Sequence, residues 1–386
     1  MMLEAIFWIG AGVLFYTFVG YPVGITILAR LRPRPVHRAR IRPTVTLLIV
    51  AHNEERHIEA KLENALKLDY PAGFLEIVLA SDGSTDRTVG LGRRFESRGV
   101  HVLAYPVRRG KPSVLNDSIP QCRGEILVLS DARQRYDHGA IAALVENFAD
   151  PTVGAVSGEL LLEGGHDGGV GAGVGLYWRY EKLIRRSESA FDSMLGATGA
   201  IYAIRRTLFE AMPVDTLLDD VLIPLRAVRG GRRVVFEPAA KAFDHVAETA
   251  SQEFTRKVRT LSGNLQLFLR ERWMLDPRRN RLWLQAISHR GLRLIAPFCL
   301  IAVLGASAGL ARSATLFTTA LFAQLIFYGL ALIGVCGGRF ARVRCFTVPY
   351  AFCLLNLTAL VAIFVFIARR QQITWRKAIV RAGVAR

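Results

Sequence analysis

The sequence has few cysteines and no pairing among them. Cys122, Cys299, Cys336, Cys345 and Cys353 share no paired spacing, and four of the five lie in or beside apolar segments. That excludes a disulfide framework and a cysteine-based metal site. No strand is followed by GxxxxGK(S/T) or GxGxxG, so the P-loop and dinucleotide readings lack their fingerprints. Zinc spacing, an aromatic RNA motif and a basic zipper are missing as well. The net charge of +18, from 50 Lys and Arg against 32 Asp and Glu, therefore does not point to nucleic acid. Internal repeats and long low-complexity tracts are also lacking.

What is present is apolar sequence edged with arginine, the pattern of residues that face cytoplasmic lipid headgroups. Ala5 to Ala29 is long enough to span a bilayer. Glu4 precedes it, and Arg30, Arg32, Arg34, Arg38, Arg40 and Arg42 follow. This order suits an uncleaved anchor with its following side in the cytoplasm, not a signal peptide. Pro33, Pro35 and Pro43 make the basic stretch an extended linker. Three further membrane segments are expected at Leu292–Leu310, Ala314–Val335 and Phe346–Ala368, and the loop with Arg339, Arg342 and Arg344 suits the cytoplasm. Four spans from an outside N-terminus put the tail outside. Yet that tail carries Arg369, Arg370, Arg376, Lys377, Arg381 and Arg386, which favour the inside. Either the first C-terminal hairpin is shallow or re-entrant, or the tail breaks the rule.

The expected division is an anchor at 1–30, a basic linker at 31–43, an α/β domain at 44–250, interface helices at 251–290, membrane helices at 291–368 and a basic tail at 369–386. In the α/β domain, apolar strands alternate with helical patterns, which predicts a mostly parallel sheet covered on both faces. Strands are expected at Thr44–Ala51, Leu75–Ser81, Val100–Tyr105, Glu125–Ser130 and Val153–Leu162. Beyond residue 251, Phe254, Val258, Leu261, Leu265 and Phe268 form one helical stripe opposite several arginines. The helix packs on the core or lies at the membrane surface.

Four strand ends carry polar groups: His52-Asn53-Glu54-Glu55, Asp82-Gly83-Ser84-Thr85-Asp86, Arg108-Arg109-Gly110-Lys111 and Asp131-Ala132-Arg133. In a parallel sheet these ends share one edge, where open α/β sheets bind ligands. Carboxylates there suit ribose, base donors and a divalent cation, and the neighbouring cations suit phosphate. A nucleotide diphosphate offers all of those groups. Taken singly, each aspartate also suits a helix cap. Further on, Asp219-Asp220 opens a helical pattern, as an acidic helix start or as a general base. Consecutive helical residues diverge by about 100°, so one of the two is expected to face the site.

In this order, Asn53-Glu54, Asp82 to Asp86, Gly110-Lys111 with Asn116, Asp131-Ala132-Arg133 and Asp219-Asp220 resemble the motifs of membrane-embedded family 2 glycosyltransferases. That group includes cellulose and hyaluronan synthases and many bacterial exopolysaccharide enzymes. The resemblance covers about residues 44 to 265. It implies a GT-A, Rossmann-like fold and inverting transfer from a nucleotide sugar, most readily a UDP-sugar. The acceptor would be a glycan or a lipid-linked sugar at the inner, cytoplasmic membrane face. By the same resemblance, Asn53, Glu54, Asp82 and Asp86 belong to the nucleotide side. Lys111 would approach the diphosphate, Asp131 would hold Mg²⁺ or Mn²⁺, and Asp220 would be the base, with Asp219 beside it. Arg256 and Arg259 fall where the family has Gln-x-x-Arg-Trp, so Arg259 would face the leaving diphosphate.

Two departures stand out. Arg133 replaces the second metal-motif aspartate; a guanidinium cannot ligate a cation, so either metal affinity is lower or Arg133 neutralises phosphate itself, and His245 is a candidate substitute ligand, although a lone histidine is more often structural. Thr260 replaces a tryptophan that packs against the acceptor, which favours adding one or a few sugars over making a long polymer. Trp178 or Trp273 is an alternative platform. Processive synthesis, and a nucleotide-sugar-binding module without catalysis, are the competing readings.

Overall fold

The computed structural model describes residues 1–163, 170–245, 250–335 and 343–368. The expected basic loop positions Arg339 and Arg342, Cys336 and the tail from Arg369 onward lie outside the described residues.

The strands are β1 (Val45–Ala51), β2 (Leu75–Asp82), β3 (Val100–Tyr105), β4 (Ile126–Asp131), β5 (Arg135–Tyr136), β6 (Val153–Glu163), β7 (Tyr202–Arg205) and β8 (Arg233–His245). The helices are α1 (Met2–Phe15), α2 (Tyr21–Leu31), α3 (Ile58–Leu66), α4 (Thr88–Arg93), α5 (Lys111–Ser118), α6 (Ala140–Glu146), α7 (Val170–Phe191), α8 (Asp219–Arg229), α9 (Ala250–Arg270), α10 (Trp283–Gln285), α11 (Leu292–Leu310), α12 (Thr315–Val335) and α13 (Arg344–Ile367).

One sheet runs β3-β2-β1-β4-β7-β6-β8-β5. The expected mostly parallel sheet holds for β3-β2-β1-β4. The far half is mixed: β7 runs antiparallel to both β4 and β6, and β5 to β8. Alternate β1 residues feed opposite faces, as the period of two requires. Leu47 and Ile49 pack with Ile58 and Leu62 of α3 and with Ile141 and Leu144 of α6. Leu48 packs in the opposite core, which holds Leu115 of α5, Leu222 of α8 and Leu267 of α9. Register sets Val50 beside Asp131, Ala51 beside Ser81 and Asp82 beside Tyr105. The four polar strand ends therefore share one edge.

Among the described residues, four stretches are long and apolar enough to cross a membrane: Met2–Leu31, Trp283–Leu310, Thr315–Val335 and Arg344–Ile367. Their outer faces expose Trp8, Phe322, Ile326 and Phe364, which a lipid phase tolerates. The chain is a membrane protein. Gly10 lets α1 lie against α11: a Cβ there would come within 2.7 Å of Val303. The basic linker is extended, yet Arg34 and Arg38 turn back onto Asp192 and Glu237 of the α/β domain. Those two arginines face protein, not headgroups.

A polar cluster ties the first span to α7 and to the third-from-last apolar stretch. The Tyr21 hydroxyl donates to Glu188 at 2.6 Å. His289 sits between Glu188 at 2.8 Å and Glu181 at 3.1 Å, and Arg293 pairs with Glu181. Helix α9 packs on the core: Leu267 enters it, and the Ser262 hydroxyl donates to the Ala362 carbonyl of α13 at 3.2 Å.

Candidate active site

The nucleotide-side loops are braced by one another. Asn53 is the one non-glycine residue with positive φ among the described residues (53°), a conformation that its short amide tolerates. Its Oδ1 accepts the Thr85 N–H at 2.8 Å. The Glu54 N–H donates to Thr88 Oγ1 at 2.8 Å, and the buried Glu54 carboxylate meets His57 Nδ1 at 2.9 Å. Asp86 caps the start of α4, accepting the Thr88 N–H at 3.0 Å and, through its other oxygen, the Glu55 N–H at 3.2 Å.

Asp82 is buried, and both of its oxygens accept backbone donors: Arg109 N–H at 2.7 Å and Gly110 N–H at 2.9 Å. It thus holds the loop that delivers Lys111. Gly83 is required beside it. Its φ is 57°, and a Cβ would stand 2.3 Å from the Arg108 backbone nitrogen.

Lys111 starts α5 after Gly110, whose φ of 92° turns the chain into the helix. Its ammonium does not point away to a free phosphate site. It lies 2.8 Å from Asp131 Oδ1 and 3.1 Å from Asp219 Oδ2, with only 11% of the side chain exposed. Burial pulls its proton affinity down, but the carboxylates of Asp131 and Asp219 overcome this and hold it well above the ordinary lysine range.

Asp220 faces the same cleft from the other side. Its Oδ2 accepts the Gly199 N–H at 3.0 Å, and a side chain at Gly199 would press on that carboxylate. Burial, then the charge of Asp219, pushes Asp220 up to about 6 against the pull of Lys111. Both aspartates thus reach the site, a correction to the expectation that one would turn away. They occupy the first turn of α8, where Asp219 meets Lys111 and Asp220 meets the Gly199 N–H.

Arg259 of α9 donates to the Leu217 carbonyl at 3.0 Å and lowers the proton affinity of Asp220, so it stands within the field of the cleft. Arg133 is half-buried in the turn after β4. Arg256 is exposed on α9, and its carbonyl accepts the Thr260 hydroxyl at 3.0 Å. His245 is described by its backbone alone, opposite Glu163 at the end of β8.

Sequence reasoning missed three supporting residues. Lys61, buried in α3, donates to the Gln134 carbonyl at 2.7 Å and lies 3.8 Å above the Tyr136 ring. Burial pushes it down to about 7, while Asp131 opposes the fall. The Tyr136 hydroxyl bridges the carbonyls of Leu129 at 3.3 Å and Ala200 at 3.0 Å, linking the strand of Asp131 to the loop that holds Asp220. Tyr202 is fully buried in β7 beside the same cluster. A charged position on an amphipathic helix and two isolated tyrosines gave no sequence signal for this.

Two carboxylate oxygens converging on one ammonium form an oxygen donor set that suits a hard divalent cation. Among the described residues, no three His, Cys, Asp or Glu side chains gather at one metal-sized point. Protein groups would thus fill part of the coordination sphere.

The fold and the strand-end cleft define a GT-A-type domain joined to one N-terminal and three C-terminal apolar helices. Residues 46–212 match the model of glycosyl transferase family 2. It is 27% identical over 237 residues to a poly-beta-1,6-N-acetyl-D-glucosamine synthase of Staphylococcus aureus (strain COL), covering 59% of this chain and 56% of that protein. A synthase of the same name from Staphylococcus epidermidis is 23% identical over 274 residues, 70% of this chain and 65% of that one. The chain thus spans less than two thirds of these relatives' length. The solved mannosyltransferase PcManGT from Pyrobaculum calidifontis, in complex with GDP-Man and Mn²⁺, shares the fold with a TM-score of 0.76 at 23% identity, over 96% of this chain and all of that one.

Proposed function

We propose that the chain is an inverting glycosyltransferase. It transfers a sugar from a nucleotide diphosphate sugar, a UDP-sugar first among them, to a glycan or lipid-linked acceptor at the cytoplasmic face of the inner membrane. The observation that carries this is the cluster of Asp131, Lys111, Asp219 and Asp220 at the strand-end edge of a family 2 domain. The fold and the relatives' names support the reaction class. The arginines after the first span support the cytoplasmic side.

The acceptor hydroxyl attacks the anomeric carbon in line with the leaving diphosphate. Asp220 accepts its proton; a carboxylate held near 6 is ionised at neutral pH yet more basic than an exposed one. Lys111 and Arg259 neutralise the diphosphate, and Asn53, Glu54 and Asp82 build the nucleoside side. Asp131 would hold Mg²⁺ or Mn²⁺, whose chemistry is charge neutralisation of the phosphates, with His245 the other candidate ligand.

A second reading concerns product length. Thr260 provides no aromatic face, and the Tyr177 and Trp178 rings on α7 carry the Lys257 ammonium over them at 4.9 and 5.3 Å. The relatives' names support repeated addition, while Thr260 supports short products.

The test is incubation of the purified protein with several nucleotide sugars and an excess of acceptor. Transfer or slow donor hydrolysis that needs Asp220 supports the enzyme, and tight binding without turnover supports a non-catalytic module. Long products formed while most acceptor is unused would establish processivity.

A further inference from the structure

Lys111 holds two carboxylates that belong to different elements, Asp131 at the end of β4 and Asp219 at the start of α8. We propose that its ammonium stands in for a divalent cation, and that Asp219 is the second protein ligand of that ion in place of the aspartate that Arg133 replaces. The inference rests on reading the cleft as a cation-assisted donor site. On binding, the ion takes both carboxylates and Lys111 is released toward the diphosphate.

Three observations converge. The two oxygens lie 2.8 and 3.1 Å from one point. A contraction of roughly 1 Å each would bring them to the bond lengths of Mg²⁺. Next, two carboxylates with the remaining positions left to water and phosphates is the usual protein share for such an ion. Last, the Tyr202 hydroxyl is fully buried with no hydrogen-bond partner among the described residues. Tyr202 pairs with Leu129 across β7 and β4, on the sheet face that Asp131 shares. A buried hydroxyl left unpaired is costly, and a water on a bound ion would satisfy it.

The physical consequence is competition. Lys111 and the ion cannot both occupy the point between Asp131 and Asp219. Removing the ammonium removes a competitor of like charge at contact distance.

The experiment is Mn²⁺ binding to the full-length protein in detergent, without nucleotide, followed by the loss of the free-ion electron paramagnetic resonance signal. Lys111→Met should bind Mn²⁺ at least about tenfold more tightly than wild type. Asp219→Asn should bind at least about tenfold more weakly, as Asp131→Asn should. In the unaltered protein, Mn²⁺ should raise the rate at which an amine reagent labels Lys111, read by mass spectrometry, so the proposal does not depend on any variant folding. Unchanged or weaker binding by Lys111→Met, or unchanged Lys111 labelling, would overturn it. So would wild-type affinity in Asp219→Asn with loss in Asp131→Asn or His245→Ala; that result leaves the donor-site reading standing. No Mn²⁺ binding by wild type even with UDP present would overturn both.

Discussion

Two clusters of buried acids sit in this chain, and they are balanced differently. At the junction with the apolar helices, Glu181 and Glu188 meet Arg293, His289 and the Tyr21 hydroxyl, so donors match acceptors. In the cleft, Asp131 and Asp219 contact the Lys111 ammonium, and Asp220 lies beside them in the field of Lys111, Arg259 and Arg290. A balanced cluster holds elements together. Neighbouring carboxylates that raise one another, as Asp219 and Asp131 raise Asp220, are kept at a cost in stability, which is the mark of a site that takes a charged ligand. The contrast predicts that substitutions in the cleft lose activity and keep stability, and that substitutions at the junction do the reverse.

The largest effect is expected in the cleft. Asp220→Asn should lower transfer by about 10²–10⁴-fold while leaving UDP binding and the unfolding temperature near wild type. At the junction, Glu181→Ala leaves Arg293 without its carboxylate and His289 with Glu188 alone. Unfolding in detergent should report a loss of about 3–5 kcal/mol, with the turnover of the protein that remains folded little changed. A large loss of turnover with unchanged stability at Glu181 would break the contrast. Gly83→Ala tests the brace between the two strand-end loops. Positive φ and the close Arg108 backbone should together cost about 1–3 kcal/mol, and donor affinity should fall with it.

The smallest effect is in pH dependence. A base that must be ionised, and that is pushed up to about 6, makes turnover fall as pH drops through about 6. Asp219→Asn removes the negative neighbour that raises it, so the acidic limb should move to lower pH. A shift to higher pH would mean that Asp219 does not act on the base. The midpoint belongs to the interacting cluster, since the charges of Asp219 and Lys111 both act on Asp220.

The first half of the fold was open to sequence reading because β1 to β4 are apolar runs closed by polar turns, and a buried parallel strand has that signature. The second half was less open. β5 and β7 are two and four residues long, too short for a pattern. α7 was missed because its first residues, Val170-Gly171-Ala172-Gly173-Val174-Gly175, read as a loop. Among site residues, motif order picked out Asp131, Lys111, Asp219 and Asp220. It did not find the ion pairs among them, which join residues 20 and 108 positions apart in the chain and exist only once α5, β4 and α8 meet. Nor did it find Lys61, whose helix position reads as an exposed charge until the Tyr136 ring covers it.

The central claim is that Asp220 takes the proton and Asp219 serves the charge balance beside it. Donor turnover measured against rising Mn²⁺ concentration in Asp219→Asn and Asp220→Asn tests it most directly. The account predicts that Asp219→Asn recovers activity as Mn²⁺ rises, while Asp220→Asn stays at its floor at every concentration and still binds UDP. Recovery in Asp220→Asn, with Asp219→Asn inactive throughout, would contradict it and exchange the two roles.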